Sequence, residues 1–150
     1  MQVNNLALKI GGQAGMGIKV IGLSFAKVCT RSGLFAFGYL EYPSLIRGGH
    51  NTYHITVRPD DVKAQCQHVD LLLAFNKETA IMHSQELSAE GAILYDGESF
   101  ELKPEELGKK VKLYSVPLMK FAKEAGTEKM INTAAMGAIL ALLDYDLAIF

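Results

Sequence analysis

The chain has 150 residues, 49% hydrophobic and 21% charged. That length suits one domain able to bury roughly 68–70% of its unfolded surface, and the composition excludes a disordered, collagenous or low-complexity polypeptide. Fifteen basic and sixteen acidic side chains leave a net charge of −1, which argues against a polybasic nucleic-acid-binding or membrane-surface protein.

The N-terminus, MQVNNLALKIGG, lacks a basic segment followed by an apolar one, so no secretory signal is expected. Leu6 to Ile10 reads as a short strand that stops at the glycine-rich turn Gly11-Gly12-Gln13-Ala14-Gly15-Met16-Gly17. From Ile18 the period becomes helical (Ile18, Ile21, Phe25, Val28, Cys29), with a stop at Ser32-Gly33. Leu34 to Tyr42 is aromatic-rich and strand-like, and Pro43-Ser44 ends it. A loop, Leu45 to Asn51, precedes a period-two run in which Tyr53, Ile55 and Val57 alternate with Thr52, His54 and Thr56.

Val69 to Phe75 is nearly continuously apolar, as expected of a central parallel strand covered on both faces, and a helix from Lys77 to Leu87 should follow. Ala92 to Tyr95 reads as a strand closed by an Asp96-Gly97 turn, and Val111 to Val116 as the next. Pro117 can start a helix through Lys123, and Asn132 or Thr133 could cap a last helix, Ala134 to Leu143. The uncharged stretch Ile131 to Leu143 is 13 residues, short of the roughly 20 that cross a bilayer, so no membrane span is expected. Alternating strands and helices predict a three-layer α/β fold, Rossmann-like, with a mostly parallel sheet and helices on both faces. Without a repeat or a linker, residues 1–150 read as a single domain.

Two segments carry the chemistry. Glycines 11, 12, 15 and 17 let backbone N–H groups converge ahead of a helix start, which suits an anion. The spacing is neither GxGxxG nor a P-loop, and a tight turn that uses glycine only for packing stays open. The second segment, Glu41 to Asn51, follows a strand end, where open α/β sheets usually bind ligands. Arg47 offers a planar fork for carboxylate or phosphate, Gly48 and Gly49 allow close approach, and His50 adds a titratable ring. A plain polar loop with Arg47 paired to Glu41 is the alternative.

If the strands before these two loops run parallel, both loops emerge on one edge. Residues 1 to 59 hold Lys9, Lys19, Lys27, Arg31, Arg47 and Arg58 against Glu41 alone, and that excess would focus an anion there. His54, His68 and His83 read as surface histidines, and no metal-ligand cluster or nucleophile-base set is apparent. Cys29 reads as core and Cys66 as a half-exposed loop thiol. Two cysteines without CxxC spacing exclude a disulfide scaffold and a zinc, cluster or dithiol site, so a reducing cytoplasm is expected. The last helix is apolar nearly all round, which fits either a subunit interface or full enclosure.

The segments GGQAGMGI at 11 to 18, EYPSLIRGGHNTY at 41 to 53, VDLLLAFN at 69 to 76 and NTAAMGAILALL at 132 to 143 resemble the gamma subunit or domain of 2-oxoacid:ferredoxin oxidoreductases. The likeness is strongest to the gamma domain at the N-terminus of fused alpha subunits. It departs from the commoner GGxGGQG loop at Ala14 and Met16.

The resemblance implies a component, not catalytic alone, of an enzyme that converts a 2-oxoacid to an acyl-coenzyme A. Thiamine diphosphate, magnesium and iron–sulfur clusters would sit on partner subunits, ferredoxin would be reached through the complex, and this chain would bind no cofactor by itself. It also implies that Gly12, Gly15, Gly17, Arg47, Gly48 and His50 line a coenzyme A and substrate cavity, and that Tyr42, Pro43, Ser44, Gly49 and Asn132 meet partner subunits. Relatives continue past the last helix, so a domain without that C-terminal extension is expected, and self-association stays open. A pure assembly scaffold and a free-standing nucleotide-binding module are the competing functions.

Overall fold

Leu6 to Ile10, the most apolar stretch near the start, becomes the middle of the sheet in the computed structural model, which describes residues 4–43 and 49–145. In chain order the elements are β1 (Leu6–Gln13), α1 (Ile18–Arg31), β2 (Phe35–Glu41), β3 (His50–Arg58), β4 (Val69–Ala74), α2 (Lys77–His83), β5 (Leu87–Tyr95), β6 (Lys112–Ser115), α3 (Leu118–Glu124) and α4 (Ile131–Leu142). The strand order is β2-β3-β1-β4-β5-β6. The ladders β1–β4, β4–β5 and β5–β6 are parallel, whereas β1–β3 and β2–β3 are antiparallel. The short return from β2 to β3 explains the antiparallel edge, because a parallel neighbour needs a crossover of a dozen residues or more.

β3 opposes both β1 and β2, so the latter two run in the same direction and their following loops leave from one edge. Gln13 stands opposite His50 in the β1–β3 register. On one face of the sheet Leu6, Leu8, Ile10, Leu71, Leu73 and Leu94 pack with α1, α3 and α4. On the other, Leu72, Ala74, Ile93 and Tyr95 pack with Ala80 of α2 and with Leu102 and Leu107. Both faces of β4 are thereby covered, as its unbroken apolar run requires.

Four local expectations are corrected. β1 does not stop at Gly11, since Gly11 and Gly12 continue the ladder opposite Thr52 and Asn51. α2 ends at His83, where the Ser84 hydroxyl turns back to the Ile81 carbonyl at 2.9 Å and a 3-10 turn, Ser84–Glu86, leads into β5. β5 begins at Leu87, earlier than Ala92, with a shift of its register against β4 between Val69 and Leu71. α4 starts at Ile131, so Asn132 and Thr133 lie inside it. The capping residue is Thr127, whose hydroxyl oxygen accepts from the Lys129 N–H ahead of a 3-10 turn, Glu128–Met130.

Pro117 does precede a helix, and buried Asp96 helps fix its start. One carboxylate oxygen accepts from the Glu98 N–H at 3.0 Å and the other from the Met119 N–H at 2.8 Å. Among the described residues no helix is long and apolar enough to cross a membrane.

Candidate functional site

The carboxyl ends of β1 and β4 and the first residue of β3 meet at one edge of the sheet. There Gln13, Gly49, His50, Asn76 and Glu78 line a polar pocket of about 340 Å³. The two segments singled out in the sequence are joined at its wall, where the Ala14 N–H donates to the Gly49 carbonyl at 3.0 Å. β4 is tied in next to them by the Phe75 N–H, which donates to the Gly11 carbonyl at 3.0 Å. Asn76 caps α2, its side-chain oxygen accepting from the Thr79 N–H at 2.9 Å and the Thr79 hydroxyl at 2.6 Å.

The glycines of the first loop serve different ends. Gly12 is buried, and a Cβ there would stand 2.9 Å from Phe75 Cβ, so its smallness lets β1 and the β4 end pack. Gly15 is exposed at φ 94°, with open space where a Cβ would go. Gly17, at φ 76°, precedes α1 without any side-chain cap, and Asn132 of α4 lies directly over it. Asn132 thus packs α4 against the loop, with its Oδ1 buried and without a hydrogen-bond partner. Tyr42, 69% exposed, and Pro43 stand out from the end of β2. Arg47, Gly48 and Ser44 lie outside the described residues.

Of the early basic residues, Lys19, in the first turn of α1, is exposed at this edge, Arg47 lies outside the described residues, and the others stand elsewhere. Arg58 sits at the far end of antiparallel β3, where its guanidinium donates to the Val57 carbonyl and to Cys66 Sγ. Lys27 and Arg31 lie toward the C-terminal end of α1, which runs back across the sheet. Lys9 is internal and paired with Glu86 at 2.6 Å and with Glu41 at 3.8 Å. Glu41 also accepts from the Thr52 hydroxyl at 2.7 Å, so its described partners are Lys9 and Thr52.

The histidines are the second correction. His83 is not on a helix surface but 7% exposed under the sheet, because α2 ends there and turns its last residue inward. Its Nε2 faces Nε2 of His50 at 2.8 Å, and its Nδ1 meets a Glu86 oxygen at 2.6 Å. His54 is buried opposite Lys9 in the β1–β3 register, while His68 is exposed. Burial pushes the Glu86 carboxyl up, but hydrogen bonds from His83 and Lys9 outweigh it and hold the group at about 2. Burial, then the neighbouring His83, holds the His50 ring below its ordinary value. The signal for this network in the sequence was Lys9 itself, a cation amid the apolar run of β1.

Among the described residues no group of three or more His, Cys, Asp or Glu could hold a metal ion. Cys29 is buried in the core and Cys66 is half-buried.

Residues 7–149 match the pattern of the family described as pyruvate ferredoxin/flavodoxin oxidoreductase. A ketoisovalerate oxidoreductase subunit VorA of Methanothermobacter marburgensis is 27% identical over 142 residues, 94% of this chain but 29% of that protein. A solved 2-oxoglutarate:ferredoxin oxidoreductase of Magnetococcus marinus, with 2-oxoglutarate, coenzyme A and succinyl-CoA bound, superposes with a TM-score of 0.86 at 26% identity, over 97% of this chain and 26% of that one. The gamma subunit of a keto/oxoacid ferredoxin oxidoreductase from Geobacter sulfurreducens shares the fold, with a TM-score of 0.77 at 23% identity over 92% of this chain and 75% of that one. The chain thus spans under a third of VorA and of the Magnetococcus chain. With its pattern matched almost end to end, the chain belongs to the pyruvate ferredoxin/flavodoxin oxidoreductase family.

Proposed function

We propose that residues 1–150 form a single gamma-type domain of a cytoplasmic, multi-subunit 2-oxoacid:ferredoxin oxidoreductase, and that its pocket edge walls part of the coenzyme A and substrate cavity. Partner subunits would carry thiamine diphosphate, magnesium and the iron–sulfur clusters, and electrons would leave to ferredoxin. Two cysteines, one of them buried, cannot supply the four thiolates of a cluster, which fits that division of labour. The observation that carries the reading is the joining of the glycine loop to the His50 segment around one polar pocket, at the sheet edge where α/β folds bind ligands. The Magnetococcus relative, with coenzyme A bound, supports the choice of ligand.

The test is a complex reconstituted with thiamine- and cluster-binding subunits. Replacing Arg47 or His50 by Ala is expected to raise KM for coenzyme A or for the 2-oxoacid about tenfold, the value of one hydrogen bond of about 1.4 kcal/mol. Unchanged constants in an intact complex contradict it.

A second reading, an assembly scaffold, is favoured by the outer face of α4. Ala134, Ala138, Ala141 and Leu142 line an open apolar groove of about 490 Å³ together with Phe121 of α3 and Tyr114 of β6. If the scaffold is the whole function, Arg47→Ala weakens assembly and leaves both ligand constants alone.

A further inference from the structure

Lys9 is unexplained by the pocket wall. It stands in mid-strand at 5% exposure, and an ammonium withdrawn from water is tolerated only when paired and hydrogen-bonded. Its main partner comes from the turn after α2, where Glu86 Oε2 accepts at 2.6 Å. The other Glu86 oxygen meets Nδ1 of His83 at 2.6 Å, and Nε2 of His83 meets Nε2 of His50 at 2.8 Å. A continuous chain, Lys9 to Glu86 to His83 to His50, thus starts in the sheet and ends at the pocket.

With both rings neutral, counting protons leaves one arrangement. An ionised carboxylate only accepts, so His83 Nδ1 carries the hydrogen that lies toward Glu86, and the Nε2 of a neutral His83 is bare. Two facing nitrogens share one hydrogen, so His50 Nε2 carries it. An added proton on the ring pair would place a cation close to the Lys9 ammonium, itself 3.3 Å from His83 Nδ1. His50 is then left with a bare Nδ1, and that atom is buried without a hydrogen-bond partner. The other charged groups acting on the ring are Glu78 of α2, Lys9 of β1 and Glu41 of β2.

We propose that Lys9, Glu86 and His83 are positioning residues that lock His50, a residue of the pocket lining, in its Nε2–H tautomer, which leaves its covered Nδ1 as a bare acceptor that an N–H, O–H or S–H donor of the ligand reaches once the atoms over it shift. The ligand assignment rests on the function proposed above, for which the amide and thiol donors of coenzyme A are the fitting groups. The tautomer assignment does not depend on it.

The experiment has two arms. In the 15N-labelled 150-residue chain at neutral pH, long-range proton–nitrogen spectra are expected to show His50 protonated at Nε2 and bare at Nδ1, with His83 the reverse. In Glu86→Gln, Lys9 holds the amide oxygen and the amide N–H2 faces His83, so both rings switch tautomer; Glu86→Asp, still ionised, keeps the original pair. A hydrogen on His50 Nδ1 in the unmodified chain overturns the proposal, whether or not the variants fold, and so does a folded Glu86→Gln with both rings unchanged.

In the reconstituted complex, Glu86→Gln is expected to raise KM for coenzyme A about tenfold, more than it lowers kcat, with Glu86→Asp close to the parent. An unmoved coenzyme A constant in a complex whose tautomers have switched overturns the ligand assignment. Wrong tautomers leave the proposed function standing, and a chain that joins no such complex leaves the tautomers standing, so the two failures separate.

Discussion

The Nε2 atoms of His50 and His83 face each other at 2.8 Å with their ring planes 24° apart and centroids 5.0 Å apart, although one residue opens β3 and the other closes α2. The contact pins the turn after α2 beneath the strand that forms the pocket wall. It also makes the fold sensitive to acid.

Burial first, then His83, lowers the His50 value from 6.5, and burial first, then Lys9, lowers that of His54 from 6.5. Their contribution to stability is therefore complete above pH 6.5 and lost as pH falls below it, because the unfolded chain takes up protons first. Glu86, lowered from 4.5 to about 2, adds a second loss as pH falls from 4.5 toward 2. Urea midpoints measured from pH 8 to pH 3 should fall in two stages, and His54→Asn should flatten the first. A midpoint constant from pH 8 to pH 5 contradicts the network.

Gly15 and Gly17 separate conformation from packing. Gly15→Ala meets open space, so it costs only the left-handed backbone strain, about 1–2 kcal/mol. Gly17→Ala adds a Cβ where the Asn132 amide now sits and should cost roughly 1 kcal/mol more, and Asn132→Ala in the same chain should remove that excess. Denaturation of the four variants checks this, and equal costs at the two glycines refute the contact.

The two thiols should differ sharply. Burial pushes the Cys29 thiol up to about 11 despite its contact with the Tyr145 hydroxyl, whereas Cys66 is half-buried on the segment between β3 and β4. One equivalent of maleimide should couple quickly at pH 7.5, at Cys66, with Cys29 labelled only after unfolding. Rapid coupling of both in the folded chain contradicts the packing of α1.

The sequence marks what repeats and hides what depends on a turn. The unbroken apolar run of β4 and the alternation in β3 were readable because periodicity reports how many faces an element buries. The meeting of the glycine loop with His50 followed from strand directions alone. His83 was misread because helical spacing continues past it, and only the Ser84 turn swings it and Glu86 inward. Only part of the early positive excess leaves this edge: a hairpin and a returning helix carry Arg58 and Arg31 to the opposite one, while Lys19 stays at the start of α1. Gly12 could not be told from a ligand-contacting glycine without knowing that Phe75 lies against it.

Hydrogen–deuterium exchange on the reconstituted complex, with and without coenzyme A, tests the central claim most directly. The account predicts slower exchange with coenzyme A at residues 13 to 17 and 49 to 51 and at the start of α2, with little change along α4. Exchange that is the same with and without coenzyme A in all three segments of an active complex would contradict it.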